Sequence, residues 1–305
     1  MTLTSALLGS YRGRFAPSPS GSLHFGSLIA ALASYLDAKA NHGTWLVRIE
    51  DIDTPRVVKG ADSDILRTLE AYGLHWDESV IWQSQRHARY QEILNALLNQ
   101  QQCYACHCTR KQIKAAGGLY AGHCRSLGLT AEHHALRIAQ HCPVYQFNDA
   151  IQGLVTVNTE LAQEDYIVKR SDGLYAYQLV VVVDDHDQQI SHIIRGADLL
   201  EPTARQLSLF QQLGWQQPLY GHVPLAVAAP GFKLSKQNHA PAIDNRHPQP
   251  ALCAALAFLG ITVPTALQNA PVTELLAYAI THYQRANVPQ KLEVVVQQGT
   301  AGYQF

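Results

Sequence analysis

The chain has almost no net charge: 23 lysines and arginines stand against 24 aspartates and glutamates, leaving −1 at neutral pH. A global nucleic-acid footprint, which takes the form of a strong basic excess or a clustered basic face, is therefore missing, and any contact with RNA has to be local. Also missing is an uninterrupted apolar run near the ~20 residues that span a bilayer, so no membrane partner is expected. No internal repeat and no low-complexity linker breaks the chain, which sets repeat architectures aside. The opening MTLTSALLGSYRGR is too short and too weakly basic at its start for a secretory signal. Residues 1–10 read as a loose extension, and a cytoplasmic location is expected. What is present is an ordinary globular composition of 305 residues, 47% of them hydrophobic, enough to bury a sizeable core in one large domain with small appendages.

Cysteine is scarce as well, six in all, yet four fall between Cys103 and Cys124. Disulfides are disfavoured in reducing cytosol, whereas thiolates spaced this way suit zinc. From composition alone, Cys103, Cys106, Cys108 and Cys124 form the natural tetrahedral set, with His107 and His123 set aside. No open coordination position is implied, so the metal is read as structural.

Residues 11–16 have the pattern of a strand, which Pro17-Ser18-Pro19-Ser20-Gly21 ends before a helical stretch over 27–39. A second strand, Thr44–Ile49, follows His42-Gly43. Strand, turn, helix and strand in this order predict parallel pairing through a right-handed crossover, the unit of a Rossmann-type nucleotide-binding α/β sheet. Helical patterns resume over 63–72 and 86–102, and the first half of the sheet domain is assigned to 11–102. The cysteine-rich stretch, 103–164, interrupts the rhythm as an insertion. Beyond it a hairpin turning at Asp172-Gly173 leads into 177–185, followed by a strand over 190–195. A helix over 203–213 and a strand around 222–227 complete the second half, 165–241. Residues 242–305 read as a small helical region with helices over 250–259 and 272–285, the first opening on a proline that the first helical turn tolerates.

Between the first strand and helix, Arg14-Phe15-Ala16-Pro17-Ser18-Pro19-Ser20-Gly21-Ser22-Leu23-His24-Phe25-Gly26-Ser27 crowds prolines, glycines and a histidine. Backbone can approach a ligand closely there. Free amides at the helix start meet phosphate, and His24 can donate to phosphate oxygens as negative charge develops at an α-phosphorus. Far downstream, Gly231-Phe232-Lys233-Leu234-Ser235-Lys236-Gln237 sets two lysines around a serine, point cations suited to pyrophosphate.

Paired in this order, the two segments resemble the HIGH and KMSKS signatures of class I aminoacyl-tRNA synthetases. Ser27 replaces the second histidine and Gln237 the final serine, removing one phosphate donor from each motif. RFAPSPSGSLHFGSL, RIEDID, YQLVVVVDD, ISHIIRGADLL and HVPLAVAAPGFKLSK resemble the successive blocks of the glutamyl-tRNA synthetase catalytic core. Only about seventy residues follow Lys236 in this sequence, too few for the helical anticodon-binding region of those enzymes, which points within the family to its short bacterial glutamyl-Q branch.

A zwitterion with an extra carboxylate needs two cationic partners and one anionic one, and Arg14, Arg195 and Glu50 meet that need. The resemblance implies that Arg14, Phe15, Ala16, Pro17 and Ser18 line the L-glutamate site. Glu50 would hold the ammonium, and Tyr177 and Arg195 complete the site. It leaves open which arginine takes the side-chain carboxylate. His24, Gly26, Lys233, Ser235 and Lys236 are implied to bind ATP, which brings Mg2+ with it, and His24 and Lys236 to stabilise the transition state. No base is needed, because a carboxylate is already ionised at neutral pH. For the metal the resemblance implies Cys106, Cys108, Tyr120 and Cys124, with Cys103 as the rival of Tyr120. The implied acceptor is the queuosine base of tRNA(Asp), served by a monomer. The alternatives are a truncated glutamyl-tRNA synthetase charging tRNA(Glu), an inactive RNA-binding paralogue, and a ligase of another small acid.

Overall fold

The computed structural model describes residues 10–234, 241–299 and 302–305. Strand β1 (Arg12–Phe15) is followed by helix α1 (Phe25–Ala40) and by β2 (Thr44–Ile49), which lies parallel to β1 with Arg12 opposite Thr44 and Phe15 opposite Val47. Helix α2 (Ala61–Ala71) leads to the short β3 (Ile81–Trp82), parallel to β2, and α3 (His87–Asn99) leads out of this half. The tight return from α1 into β2 depends on Gly43, where a Cβ would fall 2.6 Å from the Tyr11 side chain.

The chain continues through β4 (Cys103–Cys106), α4 (Arg110–Ala115), β5 (Ala135–Ile138), β6 (Gln146–Asp149), β7 (Gly153–Thr156) and α5 (Thr159–Gln163), all within the stretch expected as an insertion, and then β8 (Ile167–Lys169), just beyond it. Strands β4, β5 and β8 make an antiparallel sheet, and β6 pairs with β7 as a hairpin. The chain then returns through α6 (Tyr177–Asp187), β9 (His192–Gly196), α7 (Thr203–Gln212) and β10 (Leu219–Val223), with β10 parallel to β9. The Ser191 amide donates to the Arg12 carbonyl at 2.9 Å and sets β9 beside β1. From β1 the first half therefore runs outward through β2 and β3, and the second runs outward from β9 to β10. Strand order reverses between β1 and β9, and the crevice beyond the carboxyl ends of such strands is where open α/β sheets bind ligands.

In α6 the run Val180–Val183 prefers strand by intrinsic propensity, yet it is helical and fully buried. Packing against α3 and the insertion's sheet overrides that preference. The strand expected around 222–227 is divided at Pro224. β10 stays in the main sheet, while β11 (Leu225–Ala229) pairs antiparallel with β12 (Phe232–Lys233) and parallel with β13 (Glu293–Val295). Helices α8 (Gln249–Phe258) and α9 (Val272–His282) meet the helical expectation for the last region. The strands β13, β14 (Gln297–Gly299) and β15 (Gly302–Gln304) do not, because the alternation that makes them is too short to stand out from loop. Both helices share one core with α1, where Phe25 meets Phe258 edge-on at 6.4 Å. Arg285 clamps that contact by donating to both oxygens of the buried Asp37 at 2.6 and 2.8 Å, and the Tyr11 hydroxyl joins the same carboxylate. Among the described residues no helix is long and apolar enough to cross a membrane.

Candidate active site

Two adjoining cavities open at the strand ends. One, of about 390 Å3, is lined by Arg14, Phe15, Ala16, Ser18, Glu50, Tyr177 and Arg195 among others. The residues expected to hold an amino acid are thus brought together, except that Pro17 faces the second cavity, of about 590 Å3. Phe15, Ala16, Ser18, Gly196 and Asp198 border both.

The smaller cavity rests on a web of buried charge. Arg14 donates through Nε and Nη2 to the two oxygens of Asp185 at 3.0 and 3.2 Å. Arg48, fully buried in β2, donates to Asp185 at 2.8 Å, to the Gln188 side chain at 2.7 Å and to Glu50 at 3.3 Å. Asp184 accepts from Gln83 at 2.8 Å, from Arg86 at 2.7 Å and from the Tyr90 hydroxyl at 2.9 Å. Burial alone would raise the Asp185 carboxyl, but the guanidiniums of Arg14 and Arg48 bring it below the ordinary carboxylate range. Glu50 goes the other way: burial pushes its carboxyl up, and Arg48 and Arg14 offset this only in part. A carboxylate short of countercharge at the rim of a cavity is suited to a ligand ammonium. Burial, with Glu50 close by, also raises the Tyr177 phenol and keeps it a donor.

Arg195 is held on three sides. Its Nε donates to His222 Nε2 at 3.0 Å, and Nη2 donates to Thr203 Oγ1 at 2.8 Å and to the Leu199 carbonyl at 3.2 Å. Its Nη1 is buried with no hydrogen-bond partner. His222 in turn meets Asp149 through Nδ1 at 2.5 Å. Burial lowers the His222 ring below the usual histidine value despite that carboxylate.

The larger cavity is built differently. His24 is the N-cap of α1, its Nδ1 accepting from the Ser27 amide at 3.3 Å. A Cβ on Gly26 would stand 3.2 and 3.3 Å from the His24 ring and 3.5 Å from the Leu234 carbonyl, so the glycine lets the ring, the helix start and β12 come together. Lys233 pairs with Asp198, both more than a third exposed. Ser235 and Lys236 lie outside the described residues. On either side of them, Leu234 borders this cavity and Ala242 bridges to His24.

In the insertion, the Sγ atoms of Cys106, Cys108 and Cys124 all lie within 4.8 Å of one another, a group able to hold a metal ion. Tyr120 belongs to the same cluster, its hydroxyl accepting from the Cys124 amide at 2.7 Å. Arg137 spans the group, with Nε 3.3 Å from Cys106 Sγ and its guanidinium 3.8 Å above the Tyr120 ring. Cys103 is elsewhere. Strand alternation turns it with Ala105 into the core beneath α3 and α6, and Cys106 to the opposite face. A third cavity, of about 660 Å3, opens beside Tyr120, Arg125 and Glu164 in this insertion; its lining sets one arginine against Glu160, Glu164 and Asp165, which does not suit an anionic nucleotide.

Sequence reasoning missed Arg48, Asp149 and His222, and it gave Asp185 no catalytic role, reading it as a ribose contact or loop acid, whereas the carboxylate is buried between Arg14 and Arg48. Only the acidic pair ending an apolar run in YQLVVVVDD offered a signal, since acids carried into a core require countercharges.

Strand-end cavities at a switch point, one beneath a histidine-capped helix and the other lined by arginines and a glutamate, suit a nucleotide beside a small charged molecule. The profile described as tRNA synthetases class I (E and Q), catalytic domain, matches residues 10–284, and the chain belongs to that family. It is 56% identical over 295 residues to the glutamyl-Q tRNA(Asp) synthetase of Colwellia psychrerythraea, covering 93% of this chain and 94% of the relative. With the Klebsiella pneumoniae enzyme of the same name it shares 57% over 278 residues, 91% of this chain and 95% of that one. Among solved structures it resembles a glutamate tRNA ligase from Elizabethkingia meningosepticum, solved in complex with its amino acid, at a TM-score of 0.78 and 26% identity. That match covers 93% of this chain and 66% of the ligase, so the chain spans slightly less than two thirds of the ligase's length.

Proposed function

We propose that the chain activates L-glutamate with ATP to glutamyl-adenylate and transfers the glutamyl group to the queuosine base of tRNA(Asp), acting as a cytoplasmic monomer. The observation that carries this reading is the adjacency of the two cavities. A pocket with two arginines and a glutamate adjoins a cleft beneath a helix start, and Ser18, Gly196 and Asp198 border both. The relatives named glutamyl-Q tRNA(Asp) synthetase supply the acceptor.

In this reading Arg195 takes the side-chain carboxylate through Nη1, Glu50 and Tyr177 hold the ammonium end, and Arg14 orients the α-carboxylate. An α-carboxylate oxygen attacks the α-phosphorus in line, and the bond to the bridging oxygen breaks to release pyrophosphate. His24, the α1 amides and Lys236 stabilise the charge that builds on the phosphate oxygens. Mg2+ accompanying ATP supplies charge neutralisation on the nucleotide. A queuosine hydroxyl then attacks the glutamyl carbonyl, its proton is lost and AMP departs. Gly26 and Lys233 shape and charge the nucleotide side.

Cys106, Cys108, Cys124 and Tyr120 would hold one structural zinc. Zn–S bonds of about 2.3 Å in tetrahedral array put sulfurs roughly 3.8 Å apart, which the cluster's spacing accommodates. Elemental analysis should find one zinc per chain, lost in Cys108→Ala.

The deciding measurement is transfer of radiolabelled glutamate to tRNA(Asp) with queuosine, tRNA(Asp) without it, and tRNA(Glu). Label on the first alone supports the reading. Label on tRNA(Glu) alone would mean a truncated glutamyl-tRNA synthetase and sink the proposed acceptor.

A further inference from the structure

Among the described residues, His222 and Asp149 are an ionisable pair buried completely beside the amino-acid pocket that lines neither cavity. Asp149 Oδ1 is saturated by three backbone amides, from Ile151 at 3.0 Å, Gln152 at 2.8 Å and His222 at 3.1 Å. Only Oδ2 faces the imidazole, and as an acceptor it requires the ring proton on Nδ1. His222 Nε2 is then a bare acceptor aimed at the Nε–H of Arg195. With Nε taken by the ring and Nη2 by Thr203 and Leu199, the guanidinium cannot turn, and Nη1 is its one donor group without a partner.

We propose that Asp149 and His222 are positioning residues for acyl-substrate recognition. By fixing the imidazole tautomer they lock the Arg195 fork so that Nη1 faces the substrate's side-chain carboxylate. The pair touches no substrate and acts through Arg195. This inference rests on the glutamate reading of the pocket.

The predicted signature is a KM effect confined to one substrate. In ATP–pyrophosphate exchange by the full chain, His222→Ala should raise the glutamate KM by about 10–100-fold, the range for losing a hydrogen bond to a charged group. The ATP KM and kcat should change little. Asp149→Asn keeps an oxygen for the three amides but offers NH2 to Nδ1. That moves the ring proton to Nε2 against the Arg195 Nε–H, so the same KM rise is expected from a nearly isosteric change. His222→Gln, whose side chain offers an acceptor to Arg195 and a donor to Asp149, should restore most of the affinity. Thermal melts on all three separate positioning from folding. Unchanged glutamate KM in both His222→Ala and Asp149→Asn overturns the proposal. So does a parallel loss of stability and of both KM values without rescue by His222→Gln. The wild-type chain is run over a panel of carboxylic acids first. If it activates a different acid, the glutamate reading fails while the relay is still tested on that acid's KM.

Discussion

The two cavities solve the same problem, holding a charged ligand, by opposite means. On the amino-acid side each arginine is fixed to a buried partner: Arg14 and Arg48 to Asp185, Arg86 to Asp184, Arg195 to the His222 ring. On the nucleotide side the described parts are a helix start, a glycine, a capping histidine and a half-exposed lysine paired with Asp198. Preorganised partners discriminate between small acids, because a side chain that cannot relax leaves the wrong ligand unpaired. Triphosphate needs less discrimination, and amides plus point cations serve it without deep burial.

The contrast breaks or sharpens with four measurements. The largest effect is expected from Asp185→Ala, which strands Arg14 and Arg48 without their shared partner. Removing one member of a buried pair costs about 3–5 kcal/mol, to be read by chemical denaturation. A cost no greater than that of an exposed ion pair would end the distinction between the two sides. Next is Gly26→Ala. The added methyl presses on His24 at 3.2 Å, and overpacking of about 1–3 kcal/mol should appear as a higher ATP KM, with glutamate affinity kept.

Third is a pH effect on Glu50. Its carboxyl titrates above the ordinary value because burial outweighs the arginines, while binding an ammonium requires it ionised. As pH falls from neutral toward the carboxylate range, Glu50 takes up a proton sooner than an exposed glutamate. The glutamate KM should then rise, by at most about tenfold per pH unit for a single proton. The fold itself does not suffer from this group. A raised acid pKa means that the protonated form is favoured in the folded state, so this group's share of stability grows as pH falls through it. A profile of glutamate KM against pH, flat in Glu50→Gln, checks the sign. Smallest is Lys233→Ala, which removes an exposed ion pair and should move stability by less than about 1 kcal/mol, with a modest rise in ATP KM.

The nucleotide side was the more legible in sequence because its parts are contiguous. Strand, turn and helix follow within Arg12–Ala40, and the ring that caps α1 sits one residue before it. The amino-acid side was named from the charges a zwitterion with an extra carboxylate needs, together with likeness to a family. Its supports join residues 171 and 137 apart, Arg14 and Arg48 to Asp185, and no local pattern encodes such pairs. Cys103 against Tyr120 illustrates the same limit: four thiols look equivalent in a list of spacings, and only strand pleating sends one of them into a different core. The last strands were illegible for another reason. β13 exists because β11 offers it an edge, with Leu225 donating to Leu292 and Val296 to Val227 at 2.9 and 2.8 Å.

That edge has a practical side for anyone trimming the protein. Residues 292–299 and 302–305 brace the strand leading to the lysine segment. Glu293 accepts from the Gly231 amide at 2.9 Å, and Tyr303 lies flat on Phe25, the residue after His24, at 3.8 Å. Cutting there would unhitch two parts of the nucleotide cleft at once, and a shortened version that melts normally yet has lost its grip on ATP would be easy to mistake for a catalytic mutant.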